Sequence, residues 1–380
     1  MLTSRDYPIQ ARLPAMVSPY CLIGDLGGTN VRFWLIKVTV EIGKRSYEVE
    51  ISARYGSKQY RSLEAMIEKF FQDYGITRGS NQYPSTMVFC IAGPVENQKA
   101  HITNLGWDVS SASLKKTFGV PQCYIMNDFM GVGYGLLGLQ TGQYVQLNPG
   151  VEPKPDAPMA VLGAGTGLGQ AYLTKHAGCE YEVWPAEGGH GTFAPTNAVQ
   201  FRLTEYIKRV EGVSRCSVER VASGSALKNV YAFLAEEYAP VANKQRVQKV
   251  LSSDDCAREI NIAAQAAANG TAKGDEIDNI AVLTMKLFAD AFSTEAGDLA
   301  LRTLPFGGLY IAGGMAPKVR WAFENDNAFM KNFVAKGRLS DVVKHVPVYL
   351  VLVDEVGLIG CAVVAMRMVA AVSTLQKSQL

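Results

Sequence analysis

The chain has 380 residues, of which 48% are hydrophobic and 19% are charged, and its formal net charge is +2. This length predicts about two to three domains with sizeable cores. The near-neutral charge gives no global field for nucleic acid or an anionic membrane surface, and no apolar stretch reaches the length of a membrane span, so neither partner is expected.

The first predicted element follows an N-terminal arm. Residues 1–20 lack the continuous apolar core of a signal peptide, so we expect a loosely packed arm. An apolar run from Cys21 to Gly24 leads to Asp25, then to the turn 27–30 and the β-prone segment 31–38. The pattern predicts a β-hairpin. Its turn suits either a phosphate cradle with Asp25 facing a hydrated cation, or a plain hairpin turn with a solvated acid.

Alternating strands and helices continue from this hairpin. Period-two alternation predicts a strand at 46–52, and helical spacing predicts an amphipathic helix at 60–74. A buried strand at 86–92, a short helix capped by Ser110 or Ser111 and ending at Phe118, and a strand at 122–126 complete the series. The order βββαβαβ is typical of the ribonuclease H-like layered sheet.

The second half repeats the hairpin device. The proline-dense stretch 148–158 predicts a surface loop between two lobes. Beyond it, an apolar strand at 159–162, a glycine turn at 163–169 and a strand at 171–173 form a second predicted hairpin, which indicates a duplicated architecture. Further predicted elements are helices at 197–211, 223–238, 254–268 and 276–297, strands at 308–311 and 347–353, and a C-terminal helix at 357–370.

The predicted fold class is therefore α/β, with two ribonuclease H-like (actin/hexokinase-type) lobes and a central cleft. We assign residues 1–20 to the arm and 21–138 to a small α/β domain that a C-terminal helix at 357–380 completes. Residues 139–356 form a large α/β domain.

Cysteine usage and the C-terminus bear on the compartment. The seven cysteines are scattered and never spaced Cys-x-x-Cys, so we expect neither a disulfide framework nor a structural zinc site, but reduced core thiols in a cytoplasmic protein. The final tripeptide, Ser378-Gln379-Leu380, is similar to a peroxisomal address but lacks its basic middle residue. A chance ending is favoured, and a peroxisome-like organelle is kept as the alternative.

Three glycine turns, at 24–30, 163–169 and 313–314, each follow an apolar strand, which is where α/β proteins bind phosphates. The second turn is not the dinucleotide fingerprint, because position 168 is Leu. The only Gly-Lys pair, at 43–44, is followed by Arg, so there is no P-loop. Any nucleotide must be held by hairpin turns.

Polar side chains at other positions could carry chemistry. Asn127-Asp128 follows a buried strand, so Asp128 is either a general base or a cap of the next segment. Glu187 and His190 on a flexible turn, with Glu219, could bond sugar hydroxyls, or could be ordinary surface residues. With four histidines and no paired spacing, a metal cluster is not expected.

Taken together, the motifs resemble the bacterial-type glucokinases, which are hexokinase-superfamily enzymes of bacteria and some protists. The resemblance runs in order from about residue 21 to residue 370 and is carried by Gly-Asp-Leu-Gly-Gly-Thr-Asn-Val-Arg (24–32), Ile-Ala-Gly-Pro-Val (91–95), Met-Asn-Asp-Phe (126–129), Leu-Gly-Ala-Gly-Thr-Gly-Leu-Gly (162–169), Glu-Gly-Gly-His (187–190), Glu-Arg-Val-x-Ser-Gly (219–224) and Tyr-Ile-Ala-Gly-Gly-Met-x-Pro (310–317).

This resemblance implies ATP-dependent phosphorylation of D-glucose at the 6-hydroxyl, in a cleft that closes on the sugar. Asp128 matches the catalytic base, and Asp25 matches the acid that faces Mg²⁺ through water. The matched glucose ligands are Asn127, Asp128, Glu187, His190 and Glu219. The matched ATP-binding residues are Asp25, Gly27, Gly28, Thr29, Asn30, Gly163, Gly165, Thr166, Gly167, Gly313 and Gly314. A homodimer, common among similar enzymes, is the expected assembly.

Two departures from the family pattern qualify what the resemblance implies. The related repressor-and-kinase sugar kinases carry a zinc-binding cysteine cluster after Glu-x-Gly-His, whereas residues 191–215 contain no cysteine, so no structural zinc is expected. The stretch 354–360 replaces the usual Asn-Pro before Gly-Leu, which puts the lobe-joining turn in doubt.

The alternatives are a kinase for another hexose, such as mannose or fructose, and an ATP-driven conformational protein of the actin or chaperone type. A sugar-sensing repressor would need a DNA-binding module, for which residues 1–20 are too short.

Overall fold

A computed structural model of the chain describes residues 18–239, 242–274, 277–324 and 327–378. They form a mixed α/β structure with several sheets, and its elements pack into two compact units. The first unit ends at Leu139 and resumes at Glu355, and the second runs from Gln140 to Asp354. Most of the predicted arm, up to residue 17, and the last two residues of the C-terminal tripeptide lie outside the described residues.

The strands are β1 (Tyr20–Leu26), β2 (Asn30–Glu41), β3 (Lys44–Gly56), β4 (Thr86–Ile91), β5 (Val95–Glu96), β6 (Lys99–Ile102), β7 (Trp107–Ser110), β8 (Gln122–Asn127), β9 (Tyr144–Gln146), β10 (Met159–Ala164), β11 (Leu168–Thr174), β12 (Glu182–Ala186), β13 (Gly308–Ala312) and β14 (Val348–Val351). The α-helices are α1 (Leu63–Asp73), α2 (Ser111–Phe118), α3 (Asp128–Leu136), α4 (Ala198–Glu211), α5 (Ala226–Glu237), α6 (Lys244–Leu251), α7 (Cys256–Ala268), α8 (Asn279–Thr303), α9 (Arg320–Glu324), α10 (Ala328–Val334), α11 (Ser340–Val343) and α12 (Val356–Ser378).

The first unit is built on a five-stranded sheet in the order β3-β2-β1-β4-β8. The predicted opening hairpin is confirmed, because β1 pairs antiparallel with β2. β1 also pairs parallel with β4, and β4 pairs parallel with β8, so these three strands end at the same edge. One face of the sheet packs its apolar side chains, including Phe33 and Phe89, against residues of α1 and α2.

Several predicted boundaries in this unit are corrected. Helix α1 begins at Leu63, because the Ser62 hydroxyl caps it by accepting from Ala65 N. Ser110 occupies the cap position of α2 but makes no side-chain capping bond. The three-stranded sheet β5-β6-β7 was not predicted, because its strands are two to four residues long and therefore show almost no periodicity.

Helices α3 and α12 pack with their backbones in contact. A Cβ atom at Gly360 would overlap the carbonyl oxygen of Gly131, and one at Gly135 would overlap that of Val356. Glycine is therefore required at this crossing. The predicted C-terminal helix is confirmed, and its packing against α3 was not predicted. The position of Asp128, the first residue of α3, follows from this packing.

The second unit is built on a six-stranded sheet in the order β12-β11-β10-β13-β14-β9. The second predicted hairpin is confirmed by antiparallel pairing of β10 with β11, and β13 lies parallel to β10 on its other side. Helix α8 and this sheet share one apolar core, to which α8 contributes Phe288 and Phe292. Strands β9 and β12 and helices α6, α9, α10 and α11 were not predicted.

The proline-dense segment 148–158 is a loop, but not a link between lobes. It connects β9 to β10, and both strands belong to the same sheet. That prediction was wrong because β9 has three half-buried residues and no apolar run to mark it.

All seven cysteines are free thiols, and six are buried. Cys179 is exposed, so the prediction that the cysteines are core residues is wrong at that position. In the described part of the chain, no helix has the length and apolarity needed to cross a membrane.

Candidate functional site

In the first unit, the predicted acidic and amide side chains collect at the carboxyl edge of three parallel strands. Asp25 pairs in register with Cys90 of β4, and Ile91 of β4 pairs with Asn127, the last residue of β8. Asp128 follows directly as the first residue of α3. The fold therefore brings Asp25, Asn127 and Asp128 to one edge of one sheet.

Asn127, not Asp128, caps helix α3. Its Oδ1 accepts from the backbone N–H groups of Phe129 (2.9 Å) and Met130 (3.3 Å), and its Nδ2 donates to Gly93 O at 3.0 Å. Asp128 Oδ1 also accepts from Phe129 N, at 2.9 Å. The capping role that the sequence left open for Asp128 thus belongs to its neighbour, and the second N–H of the Asn127 amide can serve a sugar hydroxyl.

Asp25 is half-buried and sits beside the start of α12. Cys90 Sγ donates to its Oδ1 at 3.4 Å, and a Cβ at Gly357 would lie 3.4 Å from its Oδ2. Burial raises the pKa of Asp25, and the Cys90 hydrogen bond and the Arg32 charge oppose that rise.

The turn at 27–30 is closed by backbone and side-chain bonds. Gly27 N donates to Asn30 O (3.0 Å), and Ser57 N donates to Thr29 O (3.0 Å). The buried Ser57 hydroxyl donates to Gly27 O at 2.9 Å. Ser57 was not predicted as part of this site, because a serine directly after a long strand has no local signal for bracing a turn 30 residues earlier.

In the second unit, the glycine turn after β10 is bound to Glu219. Gly165 N donates to Gly167 O at 2.9 Å, and Leu168 N donates to Glu219 Oε2 at 3.0 Å. A Cβ at Gly167 would lie 2.5 Å from that carboxylate oxygen. Glu219, predicted as a sugar ligand, therefore also holds the turn in shape.

The same turn contacts the two other glycine-rich segments of this unit. Gly224 N donates to Gly165 O (2.9 Å), and Ser225 Oγ donates to Thr166 O (2.7 Å). Gly313 has φ +89°, which favours glycine, and a Cβ there would lie 2.7 Å from Ala164 O. The predicted phosphate segments at 163–169 and 313–314 are thus neighbours, and Ser225 is a contact that the sequence did not reveal.

A single helical turn at 188–190 follows Glu187 and ends at His190. His190 Nε2 lies 3.8 Å from Glu187 Oε2, and the two side chains are 61% and 75% exposed, so this pair contributes little stability. Arg215 Nη1 donates to His190 O at 2.6 Å, and this bond holds the backbone at His190. A Cβ at Gly189 would overlap Leu168 O. The turn therefore lies against the strand whose first N–H binds Glu219, which brings Glu187, His190 and Glu219 into one neighbourhood.

Within the described ranges, no group of three or more His, Cys, Asp or Glu side chains is arranged to hold a metal ion. A hydrated Mg²⁺ ion does not require such a group, because it keeps several waters and binds through one or two carboxylates and substrate phosphates.

Comparison with known proteins gives a consistent result. A sequence model of the family described as glucokinase matches residues 22–368. A glucokinase from Nostoc punctiforme is 37% identical over 348 residues, which cover 91% of this chain and 99% of that protein. The crystal structure of a glucokinase from an Antarctic psychrotroph has a TM-score of 0.74 at 28% identity, covering 92% of this chain and 99% of the other.

A more distant structural neighbour shares the fold. It is a ROK family glucokinase from Streptomyces griseus, solved in complex with glucose and AMPPNP, with a TM-score of 0.58 at 18% identity. The alignment covers 92% of this chain and 99% of that structure.

Proposed function

The chain belongs to the glucokinase family, and on that premise we propose that it transfers the γ-phosphoryl group of ATP to O6 of D-glucose. The observation that carries the proposal is the family match from residue 22 to residue 368. We assign the groups that the reaction needs to two clusters of polar side chains, one in each unit. The complex of the Streptomyces griseus neighbour with glucose and AMPPNP supports the choice of substrates.

We assign the base to Asp128. It begins α3, and a helix N-terminus stabilises negative charge, which suits a group that must act as a carboxylate. In the reaction the proton of O6 passes to Asp128 while O6 forms a bond to the γ-phosphorus. The bond between that phosphorus and the β–γ bridging oxygen breaks, and ADP leaves with the electron pair.

We assign ATP to the glycine turns. Residues 27–30 in the first unit, and residues 163–167 with Gly313 and Gly314 in the second, offer backbone N–H groups to phosphate oxygens. A Cβ added at Gly165 or at Gly314 would meet no atom of a non-adjacent residue within 4 Å, which leaves room for a ligand to approach. Asp25 would hold Mg²⁺ through water, and the ion would supply charge neutralisation on the β- and γ-phosphate oxygens.

We assign sugar recognition to Asn127, Glu187, His190 and Glu219, with Asp128. Carboxylates and an imidazole accept from sugar hydroxyls, and the Asn127 amide donates. The exposure of Glu187 and His190 supports this role, because both side chains are accessible to a ligand.

A coupled assay with glucose and MgATP tests the proposal, run beside mannose and fructose at equal concentration. We expect the highest kcat/KM with glucose, since a site that reads hydroxyls rejects sugars that leave its polar groups unpaired. A higher kcat/KM with another hexose would favour the alternative kinase. ATP turnover that does not depend on sugar would favour an actin- or chaperone-type role, which the family match makes the weaker candidate.

Architecture, assembly and location complete the proposal. The strand order β3-β2-β1-β4-β8 and the repeated hairpin support a ribonuclease H-like architecture for both units. We also propose a zinc-free homodimer in the cytoplasm. Light scattering with size exclusion, metal analysis of the purified protein and fluorescence microscopy of the tagged chain test these three expectations. The comparisons lend no support to the peroxisome alternative.

A further inference from the structure

A buried polar pair in the second unit has no task in the proposed reaction. Gln170 of β11 is 2% exposed, and Glu295 of α8 is 4% exposed. Gln170 Nε2 donates to Glu295 Oε1 at 2.9 Å, and Arg302 Nη1 donates to the same oxygen at 2.8 Å. A buried carboxylate is costly unless it is paired, and an apolar residue would serve the core of α8 at lower cost.

The pair gives the Gln170 amide a defined direction. An ionised carboxylate only accepts hydrogen bonds, so the NH₂ group of Gln170 must face Glu295 and its Oε1 must face the other way. On that side lies Gly188, where an added Cβ would overlap Gln170 Oε1. The oxygen of Gln170 therefore rests against the backbone between Glu187 and His190.

We propose that Gln170 and Glu295 are positioning residues that set the height of the 187–190 turn above β11 and thereby the affinity for the sugar. This inference rests on the proposed function, which makes Glu187 and His190 sugar ligands. Both side chains are exposed, and the 3.8 Å between their polar atoms makes their mutual interaction weak. The backbone of the turn therefore determines the position of both side chains. A displacement of about 1 Å in a ligand-binding group is enough to weaken its hydrogen bonds severely.

The test compares variants of the full chain by steady-state kinetics and by calorimetric titration with glucose in the absence of nucleotide. Q170M keeps the length of the side chain but loses the hydrogen bond to Glu295 and the oxygen that rests against Gly188. We expect its KM and Kd for glucose to rise about tenfold, while kcat and the KM for MgATP change less than about twofold. E187Q, which alters a proposed ligand directly, provides the scale.

Two further variants isolate the pairing itself. Q170E places two carboxylates side by side and should weaken glucose binding at least as much as Q170M does. Adding E295Q places an amide NH₂ group at position 295, which can donate to the carboxylate at position 170. The other oxygen of that carboxylate again faces Gly188. The double variant Q170E/E295Q should therefore recover glucose affinity to within about threefold of the wild type.

Y231F is the matched control. The buried Tyr231 hydroxyl donates to Asp278 Oδ2 at 2.8 Å, and Asp278 caps the opposite end of α8 from Glu295. This variant loses a buried hydrogen bond to a carboxylate on the same helix, so we expect a lower melting temperature with an unchanged Kd for glucose.

The outcomes separate the two proposals. A wild-type protein without glucose kinase activity refutes the proposed function, whatever the variants do. An active wild type with Q170M matching Y231F, destabilised but normal in glucose binding, overturns the positioning role. Should Q170M and Q170E fail to fold, E295L decides, because it removes the acceptor of the Gln170 amide while the half-exposed Arg302 can turn to solvent. We expect about a threefold rise in glucose Kd, and an unchanged Kd overturns the inference.

Discussion

The two units use the same scaffold to present different kinds of side chain. In each, a glycine turn joins two antiparallel strands, and a parallel strand pairs with the first of them: β4 beside the β1–β2 hairpin, and β13 beside the β10–β11 hairpin. In the first unit the polar groups lie at strand ends. In the second they come from segments outside the sheet, and Glu219 meets Leu168 across 51 residues of chain.

This difference matches the tasks that we propose for the two units. Asn127 is fixed by three hydrogen bonds, and Asp128 begins a helix that is locked against α12, so neither backbone can shift easily. Proton and phosphoryl transfer require such placement, because small errors in distance reduce the rate strongly. Glu187 and His190 lie on an exposed turn, where recognition of a sugar can occur and where affinity can change without altering the reacting groups.

The largest expected effect tests this division directly. Asp128→Asn in the first unit should lower kcat by about 10²- to 10⁴-fold with little change in glucose Kd, because the general base is lost while the hydrogen-bonding shape remains. Glu187→Gln in the second unit should raise the KM for glucose about tenfold with kcat nearly unchanged. Steady-state kinetics with calorimetry measure both. Near-normal turnover of D128N, or a kcat loss in E187Q as large as in D128N, would contradict the division.

The second prediction concerns the glycine turn of the second unit. Gly167→Ala should lower the free energy of unfolding by about 1–3 kcal/mol, because the added methyl group meets the Glu219 carboxylate. Gly165→Ala faces open space, so its stability should stay within about 0.5 kcal/mol of the wild type while ATP binding weakens. Urea denaturation and nucleotide titration check these outcomes. Equal stability losses at the two positions would refute the role of Glu219 as a brace.

The third prediction concerns pH in the first unit. Because burial raises the pKa of Asp25, its protonation competes with Mg²⁺ at a higher pH than for an ordinary carboxyl group. The apparent KM for Mg²⁺ should therefore rise as the pH falls from neutral, before exposed carboxylates titrate.

The same shift has a consequence for stability. Some acids have a higher pKa in the folded state than in the unfolded state. Such an acid destabilises the fold once the pH exceeds its pKa in the unfolded state, because the charged form is then disfavoured by burial. Asp25→Asn should consequently raise the melting temperature of the ligand-free protein at neutral pH while impairing Mg²⁺-dependent activity. A lower melting temperature would mean that the Asp25 charge stabilises the fold.

The smallest expected effects compare the braces of the two turns. Ser57→Ala removes a buried hydroxyl bond to Gly27 O and should cost about 1–2 kcal/mol of unfolding free energy. Ser225→Ala removes a bond from an exposed serine to Thr166 O and should cost about 0.5 kcal/mol or less. The two values come from denaturant titration under identical conditions, and a larger loss for S225A would reverse the expected order.

The sequence predicts the parts of this structure that local chemistry determines. Apolar runs around Gly27-Gly28 and around Gly163–Gly169 identify both hairpins, because two short apolar runs separated by a glycine turn are typical of a β-hairpin. Asn127 and Asp128 could be placed at a strand end because the strand before them is buried.

Other features depend on contacts between distant segments and were not predictable in this way. Helix α6 has one buried residue, Val250, and so no apolar stripe to reveal it. Strand β12 contains Pro185, which is tolerated there because β12 is an edge strand. Gln170 resembles any polar strand residue, and its burial arises only when α8 covers β11.

The glycine-lined crossing of α3 with α12 has a consequence for biosynthesis. Helix α12 follows the whole second unit in the chain, so a ribosome releases it only after residues 140–354 have emerged. The face of the first sheet that α12 contacts therefore stays uncovered in the nascent chain until synthesis is nearly complete. By then, all residues of the second unit have already been synthesised. Chaperone occupancy on stalled nascent chains should accordingly persist on the early segment until the α12 segment leaves the exit tunnel.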